Sequence, residues 1–186
     1  MRCAVILHAP IGGGKTTTAQ AAAERAKADG IKVMGILSKR VLDGGEYPRY
    51  DLLELDTGKT MPLVKPADKE HSEEWESYGN LKFMFSKKGL YSANLALDRA
   101  ASEMRDGVVV FVDEYGRLES QSKGIHAGAL MVAEALKRGG IAVYLCREDK
   151  INEVIDLLKD TSARIFNLEA GDADALFKII RDYSKL

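Results

Sequence analysis

Apolar residues in this chain come in short, near-continuous runs separated by amphipathic stretches, and that alternation lays out the elements. Residues 2–8 (RCAVILH), 31–37, 108–114 (VVVFVDE), 141–146 and 164–168 read as strands. An unbroken apolar run bounded by turn residues is the pattern of a strand covered on both faces, as in a parallel sheet. Between these runs lie helical patterns. Residues 16–29 are alanine-rich (Ala19, Ala21, Ala22, Ala23, Ala26), which suits close packing on a sheet, and Gly30 ends them. Ser86 opens a helix to about Arg105 with Leu90, Leu97, Ala101 and Met104 on one stripe. Further helices run over 126–138 (Ala129, Ala133 and Leu136 inward, Gly139 and Gly140 ending it), 151–159 (Ile151, Val154, Ile155 and Leu158 on one face) and 172–184. Strand and helix in alternation predict an α/β fold with a mainly parallel sheet.

From Ser38 the texture changes to hairpin. Val41 and Leu42 read as a strand, Asp43, Gly44 and Gly45 as a tight turn, 50–55 as a strand, 56–59 (DTGK) as a second turn and 60–64 as a third strand. This predicts a β-hairpin insert over about residues 39–64, carrying Lys39, Arg40 and Arg49 near the edge where open α/β sheets bind ligands. Residues 67–80 are acidic without clean periodicity and read as a mobile loop, in which Trp75 either fastens the loop to the body or stacks on a base. Residues 81–85 form a short strand before the 86–105 helix. Asn94 sits on that helix's apolar stripe, either as a core amide satisfied by backbone or as a ligand contact.

The chemistry gathers at the first strand. It runs into Ala9, Pro10, Ile11, Gly12, Gly13, Gly14, Lys15, Thr16 and Thr17, a glycine-rich turn opening a helix. Strand, glycine loop and helix form the context of a phosphate-binding P-loop. The amides of residues 12–16 are expected to converge on one anion, with the positive end of the helix dipole aimed at it. Lys15 is the candidate for the β- and γ-phosphates and Thr16 for Mg²⁺. Ala9 stands where the strict pattern wants glycine, so position 9 must take a conformation alanine tolerates. The 108–114 strand ends in Asp113 and Glu114, a Walker B arrangement in which Asp113 holds Mg²⁺ and Glu114 orients the attacking water. Arg117, in the loop over 115–125, either neutralises charge on the γ-phosphate or is a solvated surface residue.

Composition narrows the field. The chain has 186 residues, 46% hydrophobic and 30% charged, with a net charge of −1, and is expected to form one domain over 1–186. That charge argues against nucleic-acid binding by bulk electrostatics. Cys3 and Cys146, both in apolar strands, fit small core residues of a reduced, cytoplasmic protein. No run reaches membrane-spanning length. His8, His71 and His126 share no metal-ligand spacing and read as structural.

The sequence resembles the THEP-type nucleoside triphosphatases, small P-loop proteins. The likeness rests on APIGGGKTT, GILSKRV at 35–41, YDLLELDTG at 50–58, FMFSKKGL at 83–90 and VFVDEYGRLE at 111–119. It covers most of residues 1–119, and the C-terminal third shares only the strand–helix rhythm. It implies a three-layer P-loop NTPase sandwich and slow Mg²⁺-dependent hydrolysis of ATP, GTP and other nucleoside triphosphates with broad base tolerance. Lys15 and Thr16 take the phosphate and metal roles by this likeness, Asp113 and Glu114 the Walker B roles. The chain departs from the family at Ala9 and after Asp-Glu, where isoleucine-glycine-proline-leucine-glutamate gives way to Tyr115, Gly116, Arg117, Leu118 and Glu119. In the hydrolytic reading Lys15 and Glu114 are catalytic, with Arg40, Arg49 or Arg117 absorbing charge. Two other readings share the same loop: a small phosphotransferase gripping an acceptor with the hairpin, and a nucleotide-dependent switch whose protein partner is unknown. The absence of an N-K-x-D element weakens a guanine-specific switch.

Overall fold

The computed structural model describes residues 1–42, 48–67, 73–79 and 81–185. The turn expected at 43–45 and His71 lie outside them. Among the described residues, nine strands form one sheet in the order β5-β6-β4-β3-β2-β7-β8-β1-β9. Its parallel half consists of β2 (Lys32–Val41), β7 (Val108–Tyr115), β8 (Gly140–Cys146), β1 (Arg2–His8) and β9 (Arg164–Glu169). Its other half is an antiparallel wing of β3 (Arg49–Glu54), β4 (Thr60–Pro66), β6 (Phe83–Ser86) and β5 (Trp75–Ser77).

Alternation along the parallel strands builds two cores. Cys3, Val5 and Leu7 of β1, Val109 and Phe111 of β7, and Ile141, Val143 and Leu145 of β8 face one layer. That layer holds α1 (Lys15–Ala28) and α5 (Ala173–Ser184). Ala4 and Ile6, Val110 and Val112, and Ala142, Tyr144 and Cys146 face the other. There lie α2 (Lys87–Glu103), α3 (His126–Leu136) and α4 (Ile151–Leu158). This is the three-layer arrangement expected from strands buried on both faces. Cys3 and Cys146 consequently point into opposite layers, and both are free. Burial pushes each thiol up to about 12, the mark of inert core cysteines. No helix among the described residues is long and apolar enough to cross a membrane.

Ala19, Ala22, Ala23 and Ala26 are the buried stripe of α1, as its composition predicts. Ser86 caps α2 by accepting the Gly89 N–H at 3.0 Å, and Asp172 caps α5 by accepting that of Ala175 at 2.8 Å.

Three expectations need correction. Val41 does not begin a separate strand, because β2 runs unbroken from Lys32 to Val41 and pairs with β3 along its outer half. The hairpin is thus grown from a core strand and continues into a four-stranded wing. The stretch expected as loop contains β5, whose Trp75 pairs with Ser86 at the sheet edge. Ile155 was expected inward, but it is 39% exposed because α4 buries only Val154 and Leu158.

Candidate nucleotide site

All five parallel strands end at one edge of the sheet, where His8 stands beside Cys146 and Glu169, and Tyr115 beside Cys146. Ligands of open α/β sheets bind at such an edge. From β1 the chain passes through the glycine loop into α1. Gly12 and Gly14 take left-handed φ of 75° and 79°, which glycine adopts without penalty. Gly13 is required for a different reason: a Cβ there would lie 2.7 Å from the Ala9 Cβ and 3.0 Å from the Pro10 oxygen. Ala9 itself is buried and is not among the positive-φ residues. The loop closes around its methyl, with Gly13 taking up the space.

One detail departs from a row of five open amides. Gly13 N–H donates to the Pro10 carbonyl at 3.0 Å. The first helical bond is Thr18 N–H to Gly14 O at 2.9 Å, so Lys15, Thr16 and Thr17 supply the unpaired first-turn amides of α1. The Lys15 ammonium bends back over the loop, donating to the carbonyls of Ala9 and Pro10 at 3.3 Å each. Those bonds are long, and the ammonium is half-buried rather than sealed in.

Opposite the loop lies the end of β7. One strand, β8, separates β7 from β1, yet the Thr16 hydroxyl donates to Asp113 Oδ2 at 2.8 Å. The same oxygen accepts the Ser38 N–H at 2.9 Å, and Oδ1 accepts the Glu114 N–H at 2.8 Å. Asp113 is 2% exposed. Burial raises its pKa, opposed by the three donors and the Lys15 charge. Glu114 follows with φ 74°, a left-handed conformation that costs a non-glycine residue about 1–3 kcal/mol. Its pKa is pushed up to about 8, first by desolvation among the surrounding protein, then by the charges of Asp113 and Glu119. The side chain nonetheless reaches solvent at the rim, which screens part of that effect and leaves the direction.

The predicted arginines sit on this side of the sheet. Arg40 and Arg117 are exposed. Arg40 pairs across the ladder with Tyr50, whose pKa is raised by burial and by Glu114 and lowered by Arg40, so both charges act on that phenol. Arg49 lies 3.7 Å from Asp51.

Several residues resolve in favour of structure. Asn94 donates to the carbonyls of Leu90 at 3.0 Å and Gly124 at 2.9 Å and accepts the Gly128 N–H at 2.9 Å, a satisfied core amide. Trp75 lies at the sheet edge opposite the P-loop half, with the Lys65 ammonium 5.0 Å from its ring, and so fastens the wing. His8 and His126 belong to no cluster of ligands among the described residues.

Two contributors were not singled out by the residue pattern. Ser38, noted only as the point where the hairpin begins, serves Asp113 through its backbone. Glu119 is 5% exposed and accepts Gly116 N–H and Ile125 N–H, each at 2.9 Å. Its match to the family's glutamate, in a segment that departs from the family at Tyr115 and Arg117, was the available signal.

The donors present fit Mg²⁺. A hydroxyl and a carboxylate 2.8 Å apart are hard oxygen ligands. No group of three or more His, Cys, Asp or Glu that could hold a metal occurs among the described residues. Mg²⁺ keeps several waters and takes further ligands from phosphates, so one hydroxyl and one carboxylate are the share it needs from protein.

A family model described as NTPase matches residues 4–181. The nucleoside-triphosphatase THEP1 of Methanocaldococcus jannaschii is 29% identical over 115 residues, 60% of this chain and 61% of that protein. The THEP1 of Thermoplasma volcanium is 25% identical over 92% of this chain and 91% of its own length. Among solved structures, a human cancer-related nucleoside triphosphatase superposes with a TM-score of 0.68 at 21% identity, covering 98% of this chain and 96% of that one. THEP1 from Aquifex aeolicus gives 0.64 at 16% identity, covering 97% and 96%. These two likenesses establish the fold.

Proposed function

The chain belongs to the NTPase family of nucleoside-triphosphate hydrolases, and we propose that it cleaves the β–γ phosphoanhydride of Mg²⁺-bound ATP, GTP and other nucleoside triphosphates, slowly and with little regard for the base. The observation that carries this reading is the contact of Thr16 with Asp113 at 2.8 Å, with Glu114 the next residue along. It supports the reading because it joins the helix after the glycine loop to the Asp-Glu strand end.

In this reading the loop amides and the α1 dipole hold the phosphates. Lys15 exchanges the carbonyls of Ala9 and Pro10 for the β- and γ-phosphate oxygens. Thr16 Oγ1 and Asp113 would hold Mg²⁺, which when bound neutralises charge on the phosphate oxygens. Glu114 orients a water in line with the γ-phosphorus and takes up its proton as the new P–O bond forms. The bond to the β-phosphate oxygen breaks, and nucleoside diphosphate and phosphate leave. Arg40 and Arg117 are the cations available to the terminal phosphate. A well-placed arginine is worth about 10³–10⁵ in rate, so two exposed ones fit slow turnover. The base tolerance rests on the family likeness. The two buried, unpaired thiols fit a reducing compartment such as the cytoplasm. We take residues 1–186 as one functional unit, a reading supported by the single sheet that includes all nine strands.

Release of phosphate from Mg-ATP and Mg-GTP with no acceptor present is the test. Steady release supports hydrolysis. Cleavage that appears only when an alcohol or phosphate acceptor is added would make this chain a phosphotransferase instead.

A further inference from the structure

Glu114 holds a strained backbone, and something must keep it there. Its φ of 74° is unfavourable for a side chain with a Cβ, and the β7–β8 register shifts between Val112 and Tyr115 at this point. Ladder pairing does not fix the residue; Asp113 Oδ1 holds its N–H from the preceding side, and the chain that follows supplies a second restraint.

That chain folds back on a buried carboxylate. Glu119 Oε2 accepts the N–H of Gly116, two residues past Glu114, and Oε1 accepts the N–H of Ile125 on the far side of the loop. A Cβ built on Gly116 would lie 3.7 Å from the Glu114 carbonyl oxygen and 3.8 Å from Glu119 Oε2, so the fastening acts directly beside Glu114. A Cβ on Gly124 would fall 2.2 Å from Glu119 Oε1, so the turn leaves the carboxylate no second place to sit. The loop is also tied outward. Ser120 Oγ lies 3.0 Å from the Gly116 carbonyl and 2.6 Å from Glu153 Oε2, and Asn94 Nδ2 donates to the Gly124 carbonyl at 2.9 Å.

We propose that Glu119 is a positioning residue for the hydrolytic reaction: its carboxylate clamps Gly116 and Ile125, and the clamp holds Glu114 in the left-handed conformation from which it addresses the attacking water. This rests on the role proposed for Glu114 above. Glu119 touches no substrate and acts only through Glu114. The chemistry requires a carboxylate, because two converging N–H donors need an acceptor at both ends, and an amide would turn an NH₂ toward one of them.

The test is single-turnover hydrolysis of Mg-ATP by the wild type, Glu119→Gln, Glu114→Gln and the double variant, with nucleotide affinity measured alongside. Glu119→Gln is expected to lower the rate by at least about tenfold, part of the roughly 10²–10⁴-fold that a positioned acid–base group supplies, while affinity changes by less than about threefold. In the Glu114→Gln background the same change is expected to cost less than about twofold, the non-additivity of two residues acting as one. Equal losses in both backgrounds would make Glu119 a general structural residue and overturn the proposal. An inactive Glu114→Gln with Glu119→Gln at the wild-type rate would overturn the role of Glu119 alone. A Glu114→Gln chain as fast as wild type would overturn both readings. Should Glu119→Gln not fold, Gly124→Ala displaces the carboxylate while keeping it, and the same cycle with Glu114→Gln applies.

Discussion

Thr16 and Asp113 are ninety-seven residues apart in the chain, and their side chains meet at 2.8 Å across the edge of the sheet. The hydroxyl comes from the first turn of the helix that follows the glycine loop. The carboxylate comes from a strand two places away in the sheet. Neither is held by its local sequence alone, and their meeting is the observation on which the proposed metal-bound triphosphate site rests.

Asp113→Asn is expected to destabilise the unliganded protein by about 1–3 kcal/mol, the cost of a buried donor left without an acceptor. Both carboxylate oxygens accept a backbone N–H, from Ser38 and from Glu114, so an amide group faces a donor whichever way it is turned. Urea unfolding checks this. The same variant should need more Mg²⁺ for half-maximal turnover, and a wild-type requirement would remove Asp113 from the metal site.

Lys15 makes only two long bonds in the free protein. Lys15→Ala should therefore change unliganded stability little while abolishing most of the stabilisation by nucleotide. For the wild type that gain is about 2.7 kcal/mol at 100 times the dissociation constant. Thermal melting with and without Mg-nucleotide measures both. A retained gain would place the phosphates elsewhere.

Ala9 and Gly13 are paired by shape. Gly13→Ala should distort the loop, since its Cβ would stand 2.7 Å from that of Ala9, with overpacking of this kind costing about 1–3 kcal/mol. Adding Ala9→Gly removes the opposing methyl and should recover part of both stability and nucleotide binding. Calorimetric titration of the single and double variants with Mg-nucleotide decides it. The Pro10 carbonyl at 3.0 Å keeps the recovery incomplete.

What the chain disclosed in advance follows the range of the interactions concerned. The glycine loop, the Asp-Glu strand end, the five parallel strands and the caps at Ser86 and Asp172 rest on local pattern, and the structure has them. β5 does not: three residues around Trp75 have no periodicity of their own and become a strand because β6 presents an open edge. The continuity of β2 through Val41 was hidden by the change from parallel to antiparallel neighbours along one strand. Glu119 read as one acid of a polar loop, since the amides it binds converge only once residues 115–125 fold back. Ile155 kept helical spacing but lies on a helix too sparsely covered to bury it.

Glu114 predicts a pH dependence. Its folded pKa lies above the ordinary glutamate value of 4.5, so between the two values the folded state holds a proton the unfolded chain has released. The contribution to stability is full below about 4.5 and is lost as pH rises through the raised folded value. Unliganded protein should therefore lose stability across that window, and Glu114→Gln should flatten the loss. Denaturant midpoints at several pH values compare the two, and identical slopes would mean that solvent at the rim screens the carboxylate fully.

The most direct measurement is single-turnover cleavage of Mg-ATP by Glu114→Gln, taken with the affinity of the same chain for nucleotide. Binding close to wild type together with a rate reduced by at least about 10²-fold is expected of a group that acts on the attacking water. Cleavage at the wild-type rate would show that water is activated elsewhere, and the pairing of the glycine loop with the Asp113–Glu114 strand end would no longer explain the reaction.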